Sequence, residues 1–333
     1  MTSKITAQKA LGMTMDTVKK VSPDFIVAGA MKSGTTWLHR TLDRLENVKF
    51  PEQEIHILDC NDPFVHPDFV AADSKGLVFL DASNLSWTSA VEKIGSAYSA
   101  KHLVGWDSTT LFHSKINFRN LAEAFPKLKI LVVLRNPTER AFSHYWHLVR
   151  TGRATSSFEG EISRGNLELL DRSIYRDQAK KIKEAFGERV CFMLYENIFK
   201  SPEAEFDRLA DFLCIGSNKV KSILNDSLGS RENSGMYPNW LFGWLLTSRV
   251  FKGLERGRYS KDILVGGVMP AGFRYLLYKL KIVLMVVGGL GFSRTRKRCM
   301  KLSTREYLNR YFREANYDLD EIIGLPSSQI WYL

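Results

Sequence analysis

Cysteine is scarce: Cys60, Cys191, Cys214 and Cys299 are the only four in 333 residues, and no two form a C-x-x-C pair. That spacing argues against a zinc site, gives no reason to expect a disulfide framework, and suits a reducing compartment. Long apolar runs are also missing. The longest, Ile282–Phe292, carries three glycines and falls well short of a spanning helix, which needs about 20 residues. The N-terminal stretch MTSKITAQKALGMTMDTVKK lacks the charged start, apolar centre and small-residue cleavage site of a secretory signal. A cytoplasmic protein is expected. Internal repeats, low-complexity tracts and heptads are absent too. What remains is an ordinary globular composition, 44% hydrophobic and 25% charged, able to bury a sizeable core.

Acids are sparse in one place only. Between Arg249 and Lys301 there are thirteen Lys or Arg against Glu255 and Asp262, an excess equal to the formal net charge of +11; elsewhere the chain is balanced. Such a segment could attract nucleic acid, an anionic membrane or a polyanionic nucleotide, or simply form a solvated basic face.

The first two thirds alternate short β-rich runs with helical patterns, the signature of βαβ units and a parallel sheet. Expected strands are Phe25–Ala28, Leu77–Leu80, Leu103–Trp106, Ile130–Leu134 and Val190–Leu194. Those at 25, 130 and 190 are continuous apolar runs, as helices covering both faces require. Helices are expected over Thr36–Leu45, Pro137–Val149, Pro202–Leu213 and Thr304–Ile323. The stretch Trp240–Phe292 is aromatic, glycine-rich and basic, and its pattern assigns no element. The expected fold is a P-loop-like α/β domain: a parallel sheet of about five strands flanked by helices, with a helical, basic C-terminal portion. Residues 1–21 read as an N-terminal extension, 22–333 as the domain, and 240–300 as a basic, apolar insertion or lid.

The first strand runs into Gly29-Ala-Met-Lys-Ser-Gly-Thr-Thr-Trp37 and then a helix. Unpaired N–H groups at a helix N-terminus, together with the helix dipole, make an anion site. Gly29 and Gly34 permit a tight turn, Thr35 and Thr36 add hydroxyls, and Lys32 adds charge. A Walker A loop places lysine directly after its second glycine and a metal-binding hydroxyl next; here lysine stands inside the loop. This suits a phosphate donor handled without a metal. The fourth strand ends in Arg135-Asn-Pro137-Thr-Glu-Arg140-Ala-Phe-Ser143. Arg135 is placed where open α/β sheets bind ligands, and Ser143 lies about two turns along the following helix. The two can converge on a second phosphate through charge-assisted bonds.

Together these segments resemble the sulfotransferases that use 3′-phosphoadenosine-5′-phosphosulfate (PAPS). K-S-G-T-T-W at 32–37 resembles the family's 5′-phosphosulfate loop, and R-x-P-x-x-R-x-x-S at 135–143 its 3′-phosphate motif. Leu194-Tyr195-Glu196-Asn197 is similar to the Y-E-[DN]-L segment, and Trp331 to the closing segment of the glycan-modifying and bacterial branches. The resemblance implies sulfuryl transfer from PAPS to a small-molecule or glycan acceptor, release of the bisphosphate PAP, and no need for metal or nucleic acid. It implies that Lys32 stabilises the leaving group and that Ser33, Gly34, Thr35 and Thr36 hold the 5′-phosphate. Arg135 and Ser143 would bind the 3′-phosphate. Trp37 would stack on adenine, or equally be a core tryptophan, and Tyr195 would lie near the adenine.

For the general base, Glu54 is the first choice. Its segment Glu54-Ile-His-Ile-Leu-Asp59 resembles the E-[IV]-H-F-F-D stretch of glycan sulfotransferases, with Ile57 and Leu58 in place of two aromatics. Glu52 is the alternative if the loop shifts. His113, after the third expected strand, lies where the cytosolic small-molecule branch carries a catalytic histidine, though Asp107 replaces the lysine of its K-T-H pattern. The basic segment has two readings. Arg294–Arg298, with Arg296 at its centre, could close over the 3′-phosphate; or 240–300 could rest on an anionic membrane. Two other functions compete. A variant P-loop kinase or NTPase would need Mg²⁺, and a non-catalytic anion-binding module would bind in a salt-dependent way without turnover.

Overall fold

Five consecutive buried residues form β1 (Phe25–Gly29), the central strand. The computed structural model describes residues 23–51, 54, 70–73, 76–79, 101–228, 237–251, 273–289, 292–293 and 299–332. After β1 the order is α1 (Thr35–Leu42), β2 (Val48–Lys49), β3 (Val70–Asp73), β4 (Gly76–Phe79), β5 (Leu103–Asp107), α2 (Phe118–Ala124), β6 (Lys129–Leu134) and α3 (Pro137–Arg150). Next come α4 (Phe158–Ser163), α5 (Leu167–Leu170), α6 (Arg176–Phe186), β7 (Val190–Leu194), α7 (Tyr195–Lys200), α8 (Pro202–Leu213) and α9 (Ser217–Leu228). The last elements are β8 (Tyr237–Pro238), α10 (Leu241–Val250), α11 (Phe273–Gly288), β9 (Phe292–Ser293), α12 (Leu302–Ala315), α13 (Leu319–Ile323) and α14 (Ser327–Trp331).

One five-stranded sheet, ordered β2-β5-β1-β6-β7 and parallel throughout, carries the fold. From β1 the chain fills one side of the sheet, then crosses to β6 and β7. That reversal opens a crevice at the carboxyl ends of β1 and its neighbours, where ligands of such sheets bind. Side chains alternate between two cores. Ile26, Ala28, Ile130 and Val132 enter one, and Phe25, Val27, Leu131 and Val133 enter the other. Both faces are dry, so these strands read as unbroken apolar runs.

Four of the five expected strands stand in this sheet. The run expected at Leu77–Leu80 is a strand, Gly76–Phe79, but it pairs antiparallel with β3 in a separate two-stranded sheet. The fifth place belongs to β2, whose two residues are too few to show any period. The helix expected over Thr304–Ile323 is two helices, broken at Asn316. The Asn316 side chain accepts the Tyr175 N–H at 2.7 Å and the Arg176 N–H at 3.2 Å, holding the start of α6. Helix α3 begins where the sequence says it should: Asn136 Oδ1 accepts the Glu139 N–H at 3.1 Å and Pro137 occupies the first turn. Residues 1–21 and Arg294–Arg298 lie outside the described residues.

Candidate active site

Beyond Gly29 the chain turns through residues 30–34 into α1. Two turn residues have left-handed backbone, Lys32 at φ 70° and Gly34 at φ 89°. A Cβ on Gly34 would lie 2.9 Å from Tyr195 Cδ2, so glycine is required both for conformation and for close approach. Lys32 has a side chain in a sparsely populated region, a state that persists only where its surroundings enforce it. Arg135 supplies that constraint, its Nη1 donating to the Lys32 carbonyl at 3.2 Å. Gly34 caps α1 without a side-chain bond, leaving the first-turn N–H groups directed at the crevice. Ser33 is wholly buried, and its Oγ has no partner among the described residues. We predict that Gly34→Ala destabilises the fold by roughly 1–3 kcal/mol, read by denaturant unfolding, since it combines left-handed strain with a clash on the Tyr195 ring.

The Lys32 ammonium is pushed down to about 8. Burial is the largest cause, followed by the positive charge of Arg150; Arg135 and Arg140 act the same way, and Glu54 opposes them. Three arginines and one carboxylate thus act on one lysine, an arrangement short of negative charge and suited to an anionic ligand.

The second subsite forms where β6 and β7 end side by side. The Arg135 guanidinium lies 4.7 Å from the Tyr195 ring centroid, and Tyr175 Oη donates to the Arg135 carbonyl at 2.9 Å. Glu196 locks this end of the sheet: Oε1 accepts the Asn136 N–H at 2.9 Å and Oε2 accepts Trp331 Nε1–H at 2.8 Å. Asn136 Nδ2 in turn donates to the Trp331 carbonyl at 2.7 Å. The C-terminal tryptophan and the Tyr195-Glu196-Asn197 segment are therefore one clamp on the turn that aims Arg135. Ser143, three residues past Arg140 on α3, is half-buried.

Arg140 points inward. Fully buried, it donates to Ser173 Oγ at 2.6 Å and to the Leu169 carbonyl at 2.7 Å. Burial lowers it to about 10, so it keeps its charge near neutrality. Trp37 is also a core residue, packed 5.3 Å from Phe199, which lies 4.9 Å from Tyr195. Of the two aromatics named for the adenine, Tyr195 is the half-buried one.

The two candidate bases occupy different environments. Glu54 Oε2 accepts from Thr109 Oγ1 at 3.3 Å, just past the end of β5, and its charge reaches Lys32. His113 is buried edge-on against Phe112 and beside Tyr175. Its ring is held well below the usual imidazole range, first by burial and then by Arg172 and Arg140. Asp107 Oδ2 lies 3.2 Å from His39 Nδ1. Glu52 and Arg296 lie outside the described residues. Thr109, Glu196 and Arg150 were not singled out from sequence. Glu196 carried a signal in its motif; the other two carried none, because their partners are distant in the chain.

A parallel sheet with a glycine loop at the end of its central strand defines a P-loop-like α/β protein. The family model of the Sulfotransferase family matches residues 23–216. The chain belongs to that family. Among curated proteins none matches it. A sulfotransferase structure from Alicyclobacillus acidocaldarius has the same fold, at 19% identity and a TM-score of 0.59, covering 93% of this chain and 99% of that one. The mouse sulfotransferase SULT7A1 complexed with PAP aligns at 14% identity and a TM-score of 0.48, covering 92% of this chain and 88% of that one.

Proposed function

We propose that the protein transfers a sulfuryl group from PAPS to a hydroxyl or amine of a small-molecule or glycan acceptor, with PAP as product and no metal ion. The observation that carries this reading is the Arg135–Lys32 hydrogen bond. It sets the arginine at the end of β6 against the glycine loop after β1, the adjacency that a nucleotide with phosphates at both the 5′ and 3′ positions requires. In this reading Arg135 and Ser143 hold the 3′-phosphate. The N–H and hydroxyl groups of Ser33, Gly34, Thr35 and Thr36 hold the 5′-phosphate. Tyr195 borders the adenine, with Trp37 behind it in the core, and Arg296 of the basic segment closes over the 3′-phosphate.

Glu54 takes the acceptor's proton as a new S–O or S–N bond forms. The S–O bond to the 5′-phosphate breaks, and its electron pair stays on the phosphate oxygen. Lys32 stabilises the charge that collects there. His113, neutral and enclosed, supports the site by packing. Residues 22–333 act as one transferase domain.

Calorimetry with PAP and with ADP, without added metal, tests the reading. PAP is expected to bind tightly and ADP weakly. Arg135→Ala is expected to cost PAP about 10–150-fold in affinity, the worth of a hydrogen bond to a charged group, and to cost ADP less, since ADP loses only the constraint on the Lys32 loop. Equal binding of the two nucleotides, or binding only with Mg²⁺, moves the protein to the kinase class.

A further inference from the structure

Helix α11 is built inside out. Lys281 and Met285 turn inward, each 2% exposed. They meet the turn after α3, where a Cβ on Gly152 would lie 2.8 Å from Met285 Cε and 3.3 Å from Lys281 Cε. Ile282, Val283, Leu284, Val286 and Val287 face outward, with Val283 57% and Val287 64% exposed. Helix α10 packs against α11 and follows the same rule. Trp244 is buried and its Nε1 donates to the Val149 carbonyl at 2.6 Å, while Phe242, Leu246 and Val250 stand 65%, 51% and 71% exposed. Of the sixteen large apolar side chains exposed among the described residues, eleven lie on these two helices or on Trp240 at the start of α10. Scattered exposed apolar residues are ordinary; a patch of this extent marks a docking surface.

Charge identifies what it docks on. Neither helix contains an acid, and they expose Arg249 and Lys279 within the segment that holds the chain's whole cationic excess. A partner complementary to both features is apolar inside and anionic at its surface, which describes a bilayer containing acidic lipids. An exposed tryptophan, Trp240 at 47%, is the side chain favoured at the lipid–water boundary. At 16 residues α11 is short of the length that spans a bilayer. No helix among the described residues is long and apolar enough to cross a membrane, so the pair would lie on the surface.

We propose that α10 and α11 dock the protein on an anionic lipid surface, their outward aliphatic and aromatic side chains seated at the acyl boundary and the exposed Arg249 and Lys279 on the headgroups. This goes beyond the transfer reading and does not depend on it. The test is flotation of the full chain with vesicles of phosphatidylcholine alone and of phosphatidylcholine mixed equally with phosphatidylglycerol. The protein should float with the mixed vesicles only, and binding should weaken as salt rises. The double variant Val283→Glu, Val287→Glu should lower partitioning at least about tenfold with an unchanged melting temperature. Leu246→Glu on the other helix should act in the same direction if the double variant fails to fold. Three results overturn the proposal: no flotation with mixed vesicles, flotation indifferent to these substitutions, or a dimer in light scattering that they dissociate. The last would make the face a contact between two copies of the chain.

Discussion

Lys32→Ala should lower sulfuryl transfer by about 10²–10³-fold, the usual loss when one preorganised donor to developing charge is removed. In the transfer reading proposed above the ammonium meets the leaving phosphate, and the loop is aimed by Arg135 through the Lys32 carbonyl, which alanine retains. A folded variant with a normal melting temperature and normal turnover would end this account. Lys32 also predicts a pH dependence. Its pKa is about 8 in the free protein, and an anion binds the protonated form. PAP affinity should therefore be flat below about 8 and fall about tenfold per pH unit above it, because binding must then take up a proton. In Lys32→Ala this alkaline limb should flatten. A limb that persists unchanged assigns the titration to another group.

Glu54→Gln should reduce kcat by about 10²–10⁴-fold, the range for loss of a general base. PAP affinity should be held or improved, since a negative charge leaves the anion site. The amide still accepts from Thr109 Oγ1, so the loop contact survives. One further readout tests whether the Glu54 charge acts on the anion site. Glu54 raises the Lys32 pKa, so its neutralisation should move the alkaline limb of PAP binding to lower pH. His113→Asn should change stability more than turnover, because that ring is buried and held neutral. If His113→Asn abolishes turnover at full stability while Glu54→Gln does not, the base assignment passes to the histidine.

Much of this site was legible along the chain. Strands β1, β6 and β7 announced themselves because both faces are buried, and the loop at 29–37 because a helix entered directly from a strand needs its glycines at set positions. Pro137 placed the start of α3, which runs one residue beyond the expected end at Val149. Other features had no local signal. Two residues of β2 cannot display a period. The apolar run near residue 77 reads the same in a parallel sheet or an antiparallel hairpin. Asn316 looks like any helical asparagine until its side chain is found holding Tyr175 and Arg176.

The motif at 135–143 marks the same divide within a few residues. Its spacing says that Arg135, Arg140 and Ser143 belong together, but not that Arg140 is a buried strut on Ser173 and Leu169 while Arg135 faces the loop. Pattern and spacing determined strands β1, β6 and β7, the glycine turn and the residue types of the 135–143 motif, since those depend on neighbours within one turn or strand. Tertiary structure alone decided which charges meet. Lys32 and Arg135, 103 positions apart, come together because β1 and β6 pair in parallel. Arg150 reaches Lys32, and Glu196 ties Trp331 to Asn136, only once the sheet has aligned its strand ends and the helices have packed across them.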